Sequence, residues 1–524
     1  MLSRTLASTI CFAGLASGAF AVDGPMPLAW RWYGRTTVAP RSQPIIAGDS
    51  VIVGVGRRMY SIDAATGSTQ WSFPPSGDAA GEFSVSPAIS GDVVLGGSTN
   101  NFLYAVDRAT GAAKWSMNLG TTNARAIIGG ADIFYVFTND DRILGLSAAD
   151  GAKAWQTDYE IGTNVVGMPT ITQDHLIFFT SGGKLVGLNS TTKRPSWEIS
   201  VGSASPEGGP VAFGQSVYVV SGSQVAQINP RTGRTGWVAT FPERLVGSVA
   251  MSDKGGAAAT EDGKVYTFDA FGKLTRTQPI ALGGGYVAGG PQSTGSNIFV
   301  RTRGGSLFLL DPSRANSEIV WEYNTSALPG SKRAGSDGKV VDFVSIVGPL
   351  AIGESAVYGL AEDGSLFAWG GALGVDEYGP SISMTSPAMG NVMWGQPDTV
   401  FYFKVEDLQT GVMSKSISIT MNGSRMNYEY IPGSGLLMMK IRHPGSTEPG
   451  ANNPLTDGRK NIVVSVGDWA GNISDKTFTV VIDNTIFEAP PAPPREGGGG
   501  AMGGRGGRGG GGPAGGGRGG GVGG

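Results

Sequence analysis

His175 and His443 are the only histidines in 524 residues, and neither has neighbours equipped for catalysis. General acid–base work or metal binding needs a second reactive group within reach. His175 opens an apolar run, Leu176-Ile177-Phe178-Phe179, and His443 precedes Pro444 in another part of the chain, so both read as structural or surface residues. Glu207, Glu261 and Glu354 could line the mouth of a funnel, yet spacing alone pairs no two of them for acid–base chemistry. Asp407, Asp457 and Asp468 offer the hard oxygen ligands that calcium takes. Asp and Asn beside Gly are also ordinary turn formers, and that reading prevails here. No nucleophile elbow, phosphate loop or zinc motif occurs. Gly283-Gly284-Gly285 reads as an inter-strand turn, because no helix follows to offer its N-terminus to a phosphate. The sequence therefore gives no catalytic, cofactor-binding or metal-ligating residue.

The single cysteine, Cys11, lies in an apolar run from Leu6 to Phe20 that follows Met1-Leu2-Ser3-Arg4 and ends in Ala19-Phe20-Ala21. This is the three-part form of a secretory signal peptide, residues 1–21, with cleavage expected after Ala21. The run is shorter than the roughly 20 residues needed to span a bilayer. The mature chain then carries no thiol, no disulfide, no cysteine-based metal site and no transmembrane segment. Its setting is the periplasm, cell surface or extracellular space. A net charge of −3 draws it neither to nucleic acid nor to an anionic membrane.

The elements that position these side chains announce themselves by repetition. The chain has 86 Gly and 11 Trp with only 15% charged residues, a composition for short strands and tight turns. Trp32, Trp71, Trp115, Trp155, Trp197 and Trp237 fall 39, 44, 40, 42 and 40 residues apart. Trp321 follows 84 residues after Trp237, which implies one more repeat that has lost its Trp near Gln278. Each unit begins with a small-residue strand after Pro or Gly, such as Ser86-Pro87-Ala88-Ile89, where inner strands crowd around an axis. A turn leads to an apolar strand, Val51-Ile52-Val53 for example, and then to a third strand such as Leu103-Tyr104-Ala105-Val106-Asp107.

The closing piece is the most specific. Asp63-Ala64-Ala65-Thr66-Gly67 leads to Trp71, Asp107-Arg108-Ala109-Thr110-Gly111 to Trp115, and Asn229-Pro230-Arg231-Thr232-Gly233 to Trp237. An Asp or Asn side chain bonds backbone N–H groups just ahead of it, and Gly supplies a positive φ. The Trp, including Trp155, Trp197 and Trp321 in other copies, covers the seam to the next unit with a flat apolar face. Copies drift: Ser147 and Asn189 replace the Asp, Lys193 replaces the Gly, and Asp269-Ala270-Phe271-Gly272 is one residue short.

These motifs resemble the PQQ-like (quinoprotein alcohol dehydrogenase-like) β-propeller repeat. Quinoprotein dehydrogenases share that repeat with the B subunit of the outer-membrane β-barrel assembly machinery. The resemblance spans residues 28 to about 370. It implies a ring of short four-stranded sheets. For the dehydrogenase branch it also implies PQQ and calcium over the funnel, an Asp base, and often an adjacent-cysteine disulfide against the quinone. This chain has no cysteine pair and no haem-attachment motif, and its repeats are minimal in length.

The last copy, from Val347 to Trp369, has three strands, whereas the chain begins with an isolated outer-strand segment, Trp30-Arg31-Trp32. The two ends should complete one another. The expected fold is all-β: an eight-bladed propeller over residues 28–372, closed by the N-terminal outer strand, which leaves no large exposed edge. Residues 380–486 alternate as Phe401/Phe403/Val405, Ile417/Ile419/Met421, Ile462/Val464/Val466 and Phe478/Val480/Ile482, a β-sandwich pattern. With Asp468-Trp469-Ala470-Gly471-Asn472, this part resembles bacterial immunoglobulin-like domains. Residues 487–524 are a Pro-rich linker and a Gly/Arg tail expected to stay disordered.

The function expected from this reading is a monomeric, non-catalytic scaffold for envelope or extracellular proteins. Its candidate contact loop runs from Asn324 to Asp342, with Lys332, Arg333 and Lys339. The alternatives are a PQQ-dependent oxidoreductase without the usual cysteines, and a cell-surface carbohydrate-binding or matrix protein.

Overall fold

Apolar alternation and Gly-marked turns dictate short strands, and strands are nearly all that forms. The structure, a computed structural model, describes residues 22 and 24–486 apart from 35, 37, 203, 206, 283–285, 315–317, 326–332, 335–339, 342–344, 396–398 and 443–449. Among the described residues no helix is long and apolar enough to cross a membrane, which says nothing about membrane β-barrels. The proposed signal peptide, the Gly/Arg tail, Gly283-Gly284-Gly285 and His443 lie outside the described residues.

Among the described residues, eight four-stranded antiparallel sheets follow one another through residues 28–369. The first holds Ile45–Ala47, Ser50–Val55, Arg58–Asp63 and Thr69–Phe73 in simple chain order. Its second strand is buried almost throughout, with Val51, Ile52 and Val53 at 0% exposure, because neighbouring sheets cover both of its faces. The last sheet breaks the order: Ile346–Ile352, Val357–Ala361 and Ser365–Trp369 accept the N-terminal strand Leu28–Tyr33 as their outer member, with Arg31 opposite Phe367. The N-terminal strand thus joins the last sheet of the ring to its start, completing that sheet's four strands.

Buried side chains do not form one central core. They gather in clusters between successive sheets, such as Val136, Leu144 and Leu103 in one seam and Phe178, Leu188 and Phe137 in the next. This is the packing of a propeller, in which each sheet is stabilised by its two neighbours.

After a short connection the chain builds two more sheets. One orders Ser381–Ser386, Val400–Glu406, Leu436–Lys440 and Glu429–Ile431. The other orders Val392–Met393, Ile473–Ile482, Gly458–Gly467, Ser418–Met421 and Ser424–Met426. Phe401, Phe403, Ile419, Ile462, Val464 and Phe478 point into the single core the two sheets share. The alternation seen in the sequence is therefore the inward face of a two-sheet module.

Candidate functional site

The repeated turn is a built device. Asp63 Oδ1 accepts the Ala65 and Thr66 backbone N–H groups (3.1 and 2.8 Å) and the Thr66 hydroxyl (2.8 Å). Asp107 does the same for Ala109 and Thr110, and Asn189 and Asn229 take two backbone N–H groups each. The Thr66 hydroxyl holds the Asp63 carboxyl below the usual carboxylate range, and Thr110 does so for Asp107. Gly67 follows at φ +72°, and a Cβ there would lie 2.6 Å from the Trp30 ring. Gly111 faces Trp71 and Gly233 faces Trp197 equally closely. Glycine is required twice over, for a left-handed backbone and for an indole laid flat upon it.

Each indole then donates its N–H across the seam to the carbonyl just after the turn's first residue. Trp71 bonds Arg108 (2.9 Å), Trp115 bonds Ala148 (2.9 Å), Trp155 bonds Ser190 (3.1 Å), Trp197 bonds Pro230 (2.8 Å) and Trp237 bonds Ala270 (3.0 Å). The closing seam corrects the sequence reading. Trp30, not Trp32, bonds Ala64 (3.2 Å), while Trp32 packs edge-on against Tyr60 and donates to Thr69 Oγ1 (2.9 Å). In the repeat without a Trp, Arg276 bridges the seam, donating to the Arg314 carbonyl (3.4 Å) and pairing with Glu318.

Trp321 departs from the series. Its indole, fully buried, donates to Thr410 O of the two-sheet module at 2.9 Å, and the Tyr323 hydroxyl donates to Leu408 O (3.1 Å). The segment Asp407-Leu408-Gln409-Thr410-Gly411 repeats the Asp-x-x-Thr-Gly pattern of the ring's own turns, with Gly411 at φ +86°. Its Asp407 Oδ1 accepts the Gln409 and Gly411 N–H groups (both 2.8 Å). The eighth sheet has Trp369-Gly370-Gly371 where the others carry this turn, so the module supplies one. Sequence reasoning passed over this copy because it lies outside the period, although its letters were the signal.

Asp376, Asp407 and Asp468 meet at that joint, with carboxylate oxygens within 4.8 Å of one another. Two of them belong to the calcium-like set in the sequence; Asp457 does not join them and instead caps Asn484 N (2.8 Å). Asp376 accepts the Thr410 N–H (3.0 Å) and hydroxyl (2.5 Å), and Asp468 accepts the Asn472 N–H (2.8 Å) and side-chain amide (2.9 Å). Burial, then the charges of Asp376 and Asp468, raise the Asp407 carboxyl above its usual range. These carboxylates hold turns together.

An axial channel of about 670 Å³ is walled by inner strands of several sheets. Glu207 lies at one end, accepting Gly289 N–H (2.9 Å) and facing Arg303 at 3.7 Å; Glu261 faces the same guanidinium at 3.5 Å. Glu354 sits in the Gly353–Ala356 turn at the opposite end of the inner strands. His175 is buried, its ring nitrogens bonded to Asp174 (2.7 Å) and Ser196 (2.9 Å). Of the contact-loop residues, Lys332 and Lys339 lie outside the described residues, and Arg333 is described only as backbone paired with Val341. A planar tricarboxylate quinone with calcium does not fit the channel. The lining carboxylates Glu207 and Asp253 come from opposite ends of it, and Phe213 is the only aromatic side chain among its described lining residues.

The family model described as outer membrane protein assembly factor BamB matches residues 29–133, 55–224 and 197–383. Among solved structures, BamB from Moraxella catarrhalis is 20% identical with a TM-score of 0.51, covering 66% of this chain and 99% of that one. The computationally designed Ika8 protein matches at 12% identity and a TM-score of 0.49, over 66% and 99%. No curated protein matches the chain. The ring of sheets, its repeated turns and a family match over more than half of the sequence agree: the chain belongs to the PQQ-like repeat family of the outer membrane protein assembly factor BamB.

Proposed function

We propose that the protein is a non-catalytic scaffold of the cell envelope, a β-propeller that presents its loops to other envelope proteins and carries a second, immunoglobulin-like module. The observation that carries this reading is the chain of indole-to-carbonyl bonds, which links sheet to sheet and then extends from Trp321 to the two-sheet module. Conserving relative position across many seams serves recognition, because loops bind best when a firm framework holds them. The family match to an assembly factor supports the same reading. Side chains able to do chemistry are engaged otherwise: His175 and Asp376 hold turns or strands, and Glu207 and Glu261 flank Arg303.

The test is site-specific photo-crosslinking in intact envelopes, with the reactive residue at the exposed positions Phe271 and Tyr286. Discrete adducts to envelope proteins, absent from a chain whose probe sits in the buried Trp197 seam, are the expected result. Dye reduction by the purified chain with PQQ and calcium would instead establish the oxidoreductase alternative.

A further inference from the structure

Arg301 ends the strand Ile298–Arg301, whose other residues are apolar, and is only 5% exposed. It lines the axial channel. Its Nη1 donates to the Ile346 carbonyl at 2.9 Å, but its Nε has no hydrogen-bond partner. Among the described residues no carboxylate forms an ion pair with it. Glu207, whose negative charge acts on it from a distance, is bonded to Gly289 N–H and faces Arg303. The guanidinium is accommodated by Gly289, where a Cβ would stand 2.5 Å from Nη2. A buried cation without a paired counter-charge is strongly disfavoured unless something neutralises it. Burial pushes this guanidinium down to about 10, so it is still charged at neutral pH.

The rest of the wall mixes polar residues, among them Gln43, Asp253, Lys254 and Gln292, with an apolar stretch. Val211, Phe213, Val249, Leu350 and Ile352 give the channel an apolar surface, and its volume of about 670 Å³ falls within the range of small-molecule sites. We propose that the axial channel binds a small organic anion, with its carboxylate or equivalent oxyanion on Arg301 and its apolar body against Val211, Phe213 and Leu350. The planar fork of a guanidinium matches a carboxylate through paired N–H donors, and the burial of Arg301 strengthens that contact. This site lies on the axis and is independent of the loop-borne contacts of a scaffold.

The experiment uses the purified full chain and two isosteric probes, 2-naphthoate and the uncharged 2-naphthamide, titrated by calorimetry. Saturable one-to-one binding of naphthoate, at least tenfold tighter than naphthamide, is expected. Arg301→Met should remove that preference while leaving the denaturation midpoint no lower than in the unmodified chain. Met168 is 38% exposed and lines the channel, so Met168→Trp should fill the cavity and weaken naphthoate with the charge intact. Equal affinity for both probes, no saturation by naphthoate below about 1 mM, or unchanged naphthoate binding in Arg301→Met overturns the proposal. Should Arg301→Met not fold, the contrast between probes and the Met168→Trp result still decide it.

Discussion

The buried indole of Trp321 donates its N–H to Thr410 O at 2.9 Å, so a side chain of the ring closes on a turn of the adjoining module. Trp321→Phe keeps the ring's apolar face but leaves the Thr410 carbonyl without this donor. A buried acceptor left unpaired costs about 1–3 kcal/mol. Chemical denaturation should show that loss, and amide exchange at residues 407–411 should accelerate. Trp71→Phe, which breaks only a seam inside the ring, should destabilise by a similar amount without altering exchange at 407–411.

Lys193 occupies the position that Gly67, Gly111 and Gly233 hold in other copies, and it adopts φ +57° there. The turn demands a left-handed residue and the Lys side chain resists it by roughly 1 kcal/mol. Lys193→Gly should therefore raise stability by up to about 1 kcal/mol, reduced by the entropy of the added glycine. Gly111→Ala should do the reverse and by more, since its Cβ would meet the Trp71 ring at 2.7 Å. Paired urea melts of the two variants check both signs.

How much of this was legible depended on repetition. Asp63, Gly67 and Trp71 declared the turn because Asp107, Gly111 and Trp115 repeated it, and the three-strand last copy with the loose Trp30-Arg31-Trp32 segment declared the closure. Choosing between Trp30 and Trp32 was beyond the sequence. Both lie on one face of a strand two residues apart, and an irregularity between Leu28 and Trp30 sets which one meets Ala64. Arg301 and Arg303 likewise read alike beside a turn; only the curvature of the ring buries the first and leaves the second among Glu207 and Glu261. Asp376 joins Asp407 and Asp468 from a connecting segment without strand periodicity, which spacing does not register.

Glu322 faces the cleft between ring and module, beside Asn324, Asp407 and Tyr430, and burial pushes its carboxyl up to about 7. A group with a raised folded-state value binds its proton more tightly in the folded chain. Its stabilising effect is complete below the ordinary value of 4.5 and is lost as pH rises through about 7. Between those limits stability should fall by at most about 3 kcal/mol. Asp407, raised by burial and by Asp376 and Asp468, adds a loss of the same sign at lower pH. Glu322→Gln should flatten the slope between about pH 5 and 7, read as the difference between denaturation midpoints of the two chains.

Arg31 and Asp363 fasten the N-terminal strand to the last sheet. Their ion pair measures 2.6 Å with side chains only 8% and 15% exposed, Arg31 Nε donates to Ser365 Oγ at 3.0 Å, and the guanidinium lies over the Tyr33 and Phe367 rings at 4.5 and 4.9 Å. Removing one partner of such a pair costs far more than removing both, because the surviving charge remains in a poorly solvated place. Asp363→Ala should destabilise the ring by about 3 kcal/mol or more. The double change Arg31→Met with Asp363→Ala should recover much of that loss. Amides of Leu28–Tyr33 should lose exchange protection first in the single variant, since that strand is held to its sheet along one edge. Equal destabilisation of the single and double variants would show that the aromatic contacts of Arg31, rather than its pairing with Asp363, hold the seam.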